Sequence, residues 1–372
     1  MPYRILHIAD VHLDMAYIGS DVRLANRRRE QLREAFERAL QLARDRAVDA
    51  LCIAGDLYED GRAKLDRAEY LRRMLGDLAP MRVFMSPGNH DPLTAASIYQ
   101  RIAPLPDNIV IFSRRHFTRA ALADGVTLWG FAHEHDVDHD AAIGAFTCEG
   151  TGVHLLLFHG SDRDRLPPGK EAVAPFSGAD VERAGAHYAM VGHFHSLIQG
   201  PRHAYPGSLE PHTFAQDGRH TASLVTIEDG NVSTEFIDVN RVRYVDVQFD
   251  VAPYGDRAAL AQALRSRLVD ECGAEGTAYC RVRLVGEAAR TLDLDASEIE
   301  TTLGEQFAGL VVLDGSAAFD YDAMLRDGKT VRSEFARAMR KRIDEAPDDD
   351  RQVLETALRY GMLAFAGKTI PA

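Results

Sequence analysis

Five short polar pieces, four of them set directly after an apolar run, constrain this chain more than any bulk property does. They are Asp10-Val11-His12, Gly55-Asp56-Leu57, Gly88-Asn89-His90-Asp91, His159-Gly160 and Gly192-His193-Phe194-His195. The runs before them, Ile5–Ala9, Ala50–Ala54, Arg82–Ser86, Val153–Phe158 and Tyr188–Val191, have the length and apolar character of buried strands. Each piece therefore presents carboxylate, amide or imidazole at a strand end. Residues two apart on an extended segment point to one side. Asp10 with His12, and His193 with His195, can thus each converge on one centre.

Taken singly, every piece has a plainer reading. A lone Asp after a strand is usually a turn former or helix cap, and a single His among 15 is usually a surface or satisfied interior residue. All five in this order, in the same strand context, outweigh that reading. Asp, Asn and His without thiolate suit octahedral Mn²⁺, Fe or Mg²⁺ rather than structural zinc. Gly55, Gly88, Gly160 and Gly192 let backbone approach an ion or phosphate without a Cβ clash.

Between the first strands, Asp21–Arg46 reads as an amphipathic helix with Leu32, Phe36, Ala39, Leu40 and Ala43 on one face. A second helix is predicted over Asp66–Leu78 and a third from near Thr94. From about residue 108 short strands follow closely: Ile109–Phe112, Val126–Gly130, Ala222–Ile227 and Val232–Ile237. The pattern predicts an α/β architecture of two sheets packed face to face and flanked by helices, with the chemistry on strand-end loops. After residue 240, strands at Tyr244–Phe249 and Tyr279–Val285 and helices at Asp256–Glu271 and Ser297–Phe307 predict a small α+β domain. A charged helix, Thr330–Glu345, breaks at Pro347 and Asp348–Asp350 before Arg351–Phe365 resumes an amphipathic pattern.

At 372 residues two or three domains are expected. With 46% hydrophobic and 27% charged residues, composition excludes disorder, and no apolar run approaches a membrane span. The start, Tyr3–Ala9, has no leader pattern, which with Cys52, Cys148, Cys272 and Cys280 scattered outside any metal-ligand spacing predicts a reduced, cytoplasmic setting. The net charge of −13 repels polyanions, so any nucleic-acid role rests on local patches. Candidates are Arg27–Arg29, Arg72-Arg73, Arg114-Arg115 with Arg119, and Arg337 with Arg340–Arg342, although such clusters are more often solvated helix faces. Among other histidines, His133, His135, His139, His203, His212 and His220 read mostly as solvated, and His7 as structural.

The five pieces together resemble the calcineurin-like metallophosphoesterase superfamily, whose series runs D-x-H, G-D, G-N-H-[DE], a His beside Gly, and G-H-x-H, over about residues 4–210. The resemblance implies a four-layer sandwich of two mixed β-sheets flanked by helices, and two divalent ions, Mn²⁺ first with Fe or Mg²⁺ as alternatives. It implies one ion held by Asp10, His12, Asp56 and His195 and the other by Asp56, Asn89, His159 and His193, with Asp56 shared. Such ions clamp a phosphodiester and lower the pKa of a bridging water. His90 is the expected acid for the leaving oxygen, and Asp91 either orients His90 or caps a helix. Within the superfamily, Ile5–Asp14, Gly55–Tyr58 and Tyr205–Glu210 are similar to the SbcD-like DNA repair exonuclease group. Some of that group carry a catalytic histidine where this chain has Glu59, which either supports His90 or a metal-bound water or is only a loop residue.

That likeness implies a DNA nuclease working with a coiled-coil ATPase of the structural-maintenance type, as a homodimer, with no membrane partner. The rival is a small-molecule phosphodiesterase, such as a cyclic-nucleotide hydrolase, or a phosphoprotein phosphatase, because the same ligands serve all of them. The expected divisions are a phosphoesterase domain over 1–240, a capping domain over 241–328, and C-terminal helices over 329–372 that either dock a partner or pack on their own domain.

Overall fold

The computed structural model describes residues 2–17, 22–62, 65–101, 104–134, 142–166, 169, 171–216, 218–272, 276–289, 292, 294–326, 328 and 330–370. His135, His139 and Asp21 lie outside the described residues. Two compact units result, Met1–Arg241 and Val242–Ala372.

In chain order the first unit holds β1 (Tyr3–Ile8), α1 (Val22–Asp45), β2 (Ala50–Ile53), α2 (Leu65–Gly76), β3 (Arg82–Met85), α3 (Ile98–Arg101) and β4 (Ile109–Ile111). There follow β5 (Thr118–Ala123), β6 (Val126–Gly130), β7 (Val153–His159), α4 (Gly178–Arg183), β8 (Tyr188–Gly192), β9 (Ile198–Gln199), β10 (His203–Tyr205), β11 (Thr221–Glu228) and β12 (Asn231–Asp238). One six-stranded sheet runs β12-β11-β1-β2-β3-β4 and the other β5-β6-β7-β8-β10-β9. Both are mixed: β1 to β4 and β6-β7-β8-β10 are parallel, while β11, β12, β5 and β9 add antiparallel edges.

Period-2 alternation sorts the side chains into layers. On β7, Val153, Leu155 and Leu157 join Ile5, Cys52 and Phe84 between the sheets. Leu156 and Phe158 point the other way, onto Trp129, Val181 and Phe176. Leu6, Ile8, Leu51 and Val83 face Leu32, Phe36, Ala39 and Leu40 of α1. The result is the expected helix–sheet–sheet–helix sandwich, and it brings the ends of β1, β2, β3, β7 and β8 to one edge. The third predicted helix begins only at Ile98, because Pro92 to Ser97 turn without a helical run.

The second unit contains β13 (Arg243–Asp250), α5 (Arg257–Cys272), β14 (Ala278–Val285), α6 (Ala296–Gly304), β15 (Gly309–Asp314), α7 (Tyr321–Arg326), α8 (Val331–Glu345) and α9 (Asp348–Phe365). Its three strands are all parallel, with α5 and α6 as crossovers. Asp348–Asp350 do not lie between helices but form the first turn of α9 after Pro347. Cys272 and Cys280, eight positions apart in the chain, meet at 3.1 Å. Among the described residues no helix is long and apolar enough to cross a membrane.

His7, fully buried on β1, has neither ring nitrogen hydrogen-bonded, and burial pushes its pKa down to about 3. The unfolded chain, with an ordinary histidine pKa near 6.5, takes up a proton that the fold refuses, so stability falls as pH drops from about 6.5 towards about 3. At ~1.4 kcal/mol per pH unit per proton, His7→Leu is expected to remove about 2 kcal/mol of the loss between about pH 6.5 and about pH 5. Urea unfolding of both proteins in the presence of a chelator checks this; equal pH dependence would remove His7 from the account.

Candidate metal centre

Asp10 and His12 follow β1, Asp56 follows β2, Asn89 and His90 follow β3, His159 ends β7, and His193 and His195 follow β8. Four of these residues hold left-handed backbone: Asp10 at φ 53°, His12 at 49°, Asp56 at 52° and His193 at 120°. Such conformations cost roughly 1–3 kcal/mol each and persist where surrounding contacts over-determine them. Here backbone bonds between strand ends do so, Asp10 N–H to Gly55 O at 3.1 Å and His12 N–H to Asp56 O at 2.9 Å.

Asp56 is the hub. Its Oδ1 accepts the His90 N–H at 2.9 Å, while Oδ2 faces His159 Nε2 at 3.3 Å and His12 Nε2 at 3.6 Å. His12 Nε2 in turn lies 3.3 Å from His195 Nε2, and the Asp10 carboxylate accepts the His193 N–H at 3.0 and 3.1 Å. Six of the seven expected ligands, Asp10, His12, Asp56, His159, His193 and His195, are thereby brought together, with Asp56 between the His12 and His159 sides, and Asn89 stands on the loop after β3 next to His90.

Charge is strained in this dry site. Burial, and then the neighbouring Asp56, lift the Asp10 carboxyl to about 6 despite the nearby His159. Burial would lift Asp56 too, but the imidazoles of His159 and His12 outweigh it and hold its carboxyl well below the usual range. Burial drives His193 and His195 down to about 3, so both rings are neutral at neutral pH.

The donors fit divalent cations. Asn89 Oδ1 and His159 Nε2 are buried without a hydrogen-bond partner, which is unfavourable unless something else satisfies them. His159 is set for that role, because its Nδ1–H donates to Ala54 O at 2.9 Å and leaves Nε2 as the ring nitrogen that faces the site. Room for it is made by Gly55 and Gly192, where an added Cβ would come within 2.6 and 2.9 Å of His159 Nδ1. At Gly88 a Cβ would meet Asp56 Oδ1 at 2.3 Å. Asp10, Asp56 and His159 form one group able to grip an ion; His12 is shared by two others, with Glu59 and His90 and with His195 and His212.

Glu59 is more than a loop residue. One carboxylate oxygen accepts from His12 Nδ1 at 2.6 Å and the other from His90 Nδ1 at 3.2 Å. It therefore orients both rings with Nε2 outward. The Glu59 bond, against some burial, raises His90 to about 9, and the side chain of His90 is 48% exposed. That is a protonated imidazole within reach of solvent. Asp91 takes neither expected role: it is buried and accepts from Asp56 N–H at 3.0 Å, Leu57 N–H at 2.7 Å, Gly88 N–H at 2.6 Å and the Tyr99 hydroxyl. It pins the backbone that presents Asp56, and no helix follows it directly because Pro92 intervenes.

Several residues differ from their sequence reading. His133, His203, His212 and His220 are buried rather than solvated. His133 Nε2 bonds His159 O at 2.8 Å, and His203 Nε2 pairs with Asp162 at 3.0 Å. Arg28, read as part of a basic patch, is 1% exposed and donates to Pro211 O. Gln216, which nothing in the sequence singles out, donates to His195 Nδ1 at 2.6 Å. These contacts join segments far apart in the chain, so no local pattern could signal them.

The chain is 24% identical over 297 residues to the uncharacterized metallophosphoesterase YhaO of Bacillus subtilis, covering 75% of this chain and 70% of that protein. It is 29% identical over 275 residues to the DNA double-strand break repair protein Mre11 of Methanopyrus kandleri, with 66% and 58% covered. To Mre11 of Aeropyrum pernix it is 29% identical over 238 residues, with 56% and 54% covered. It thus spans a little over half the length of the two Mre11 proteins. The profile of the calcineurin-like phosphoesterases matches residues 3–197, just over half of the chain. That stretch takes in every converging residue from Asp10 to His195, and on it the chain belongs to the calcineurin-like phosphoesterase family and is a metal-dependent phosphoesterase.

Proposed function

We propose that this phosphoesterase is a Mn²⁺-dependent DNA nuclease of the SbcD-like type. One ion takes Asp10, His12, Asp56 and His195, and the other takes Asp56, Asn89, His159 and His193. The observation that carries the two-ion reading is the pair of buried donor atoms without hydrogen-bond partners, Asn89 Oδ1 and His159 Nε2, the latter facing Asp56. Carboxylates, an amide oxygen and imidazoles suit Mn²⁺, with Fe or Mg²⁺ as alternatives. Bound there, the ions supply charge neutralisation for a phosphoryl group and activation of an attacking water.

The protein's own part is positional. Asp91 fixes the Asp56 backbone, and Glu59 ties down His12 and His90 together. Half-exposed His90 then donates its proton to the leaving oxygen. DNA as substrate is supported by the likeness to the two Mre11 proteins, which are named for DNA double-strand break repair.

In this reading residues 1–240 are the nuclease domain, 241–328 cap it and position DNA, and 329–372 dock a coiled-coil ATPase. Leu358, Met362 and Leu363 of α9 pack into their own unit with Ala336, Met339 and Ile343 of α8. Val353 and Phe365, 69% and 46% exposed, are left for a partner. A homodimer completes the proposed assembly.

Mn²⁺-loaded protein is expected to degrade labelled linear duplex or single-stranded DNA; hydrolysis of cyclic nucleotides or phosphoprotein alone would replace the nuclease reading with its rival. His90→Ala should lose turnover at least 100-fold, the scale of general acid catalysis, yet keep both ions by metal analysis. Gly88→Ala, by driving a methyl group into Asp56, and Asp56→Ala should both lose metal. Full metal content in Asp56→Ala would overturn the ligand division.

A further inference from the structure

His212 belongs to no helix or strand, yet it is held as firmly as a core residue. The carbonyl of Pro211 accepts from the buried Arg28 guanidinium at 2.6 Å. Glu210, 1% exposed, accepts from Arg38 at 2.6 Å and from the Arg241 N–H at 3.0 Å. The His212 N–H donates to Gln216 Oε1 at 2.6 Å, and the same Gln216 amide reaches His195 Nδ1 at 2.6 Å. The segment is a shelf clamped to α1 on one side and to an expected metal ligand on the other.

On this shelf the His212 ring lies edge-on to two imidazoles, with centroids 5.1 Å from His12 and 4.9 Å from His195. Nitrogens of all three fall within 4.8 Å of one another. The residue is 3% exposed, and neither Nδ1 nor Nε2 has a hydrogen-bond partner. A neutral imidazole carries one donor and one acceptor, and leaving such groups buried and unpaired is unfavourable. His203, by contrast, pairs one ring nitrogen with Asp162. His7, which likewise has none, belongs to no ligand-capable group among the described residues.

We propose that His212 is a further nitrogen ligand of the ion assigned to Asp10, His12, Asp56 and His195, an inference that rests on the two-ion reading of the site. Two carboxylates and three imidazoles then occupy five positions of an octahedral ion and leave one open. The added nitrogen also tilts that position away from Mg²⁺, which favours oxygen donors, towards Mn²⁺, Fe or Co²⁺.

The test is metal binding by the full chain, independent of turnover. Pulsed EPR of the Mn²⁺-loaded wild type is expected to show coupling to one more histidine nitrogen than His12, His195, His159 and His193 supply. His212→Phe, which keeps the packing, and His212→Gln should each lose that coupling. Calorimetric titration should show one of the two sites weakened about 10- to 100-fold for Mn²⁺, with a smaller change for Mg²⁺. Either variant, folded by circular dichroism and binding both ions with wild-type affinity and couplings, would overturn the assignment, and so would a wild type showing only the four couplings. His195→Ala is the control: if it keeps both ions, the reading of the site itself fails, whatever His212 does.

Discussion

The buried Asp56 carboxylate is the constraint around which the rest of the site is arranged. A carboxylate out of water needs positive charge or donors beside it. Here it has the His90 N–H on one oxygen and the imidazoles of His159 and His12 facing the other. Asp10 shares the same dry edge, and its carboxyl is lifted to about 6 by burial and by Asp56 itself. Two carboxyl groups in one low-dielectric crevice are unfavourable unless cations neutralise them, which is the electrostatic reason a fold like this holds metal.

Holding that arrangement falls to the backbone. Left-handed turns at Asp10, His12 and Asp56 aim the side chains inward, and the strand ends are laced to one another by direct backbone bonds. Asp91 adds a buried acceptor for the N–H groups of Asp56, Leu57 and Gly88, which ties the loops after β2 and β3 to each other. Glu59 does the same for side chains, joining a ligand on one side to the acid on the other. The two-sheet sandwich supplies the rigid frame, since strand-end loops can be this exact only when the strands beneath them are packed on both faces.

Much of the frame was legible in the chain. Strands such as Val126–Gly130 and the long helix α1 announce themselves because burial on one or both faces imposes a short-range period. The edge strand β9 and its neighbour β10 are two and three residues long and carry too little pattern to show in the chain, and β5 is interrupted by a bulge between Ala121 and Ala123. Pro347 does part α8 from α9, but the acids after it belong to the helix they introduce.

For the site, the residue types and their strand-end spacing determined by themselves that Asp10, His12, Asp56, Asn89, His159, His193 and His195 would matter, because metal ligation is a demand on chemistry and local direction. Only the tertiary structure decided what surrounds them. Whether Glu59 is a loop residue or a bridge, whether Asp91 serves His90 or the Asp56 backbone, and whether His212 is solvated or buried among imidazoles all depend on contacts between segments 35 to 200 residues apart. Such contacts are set by how the sheets and shelf pack, and packing leaves no period in the chain.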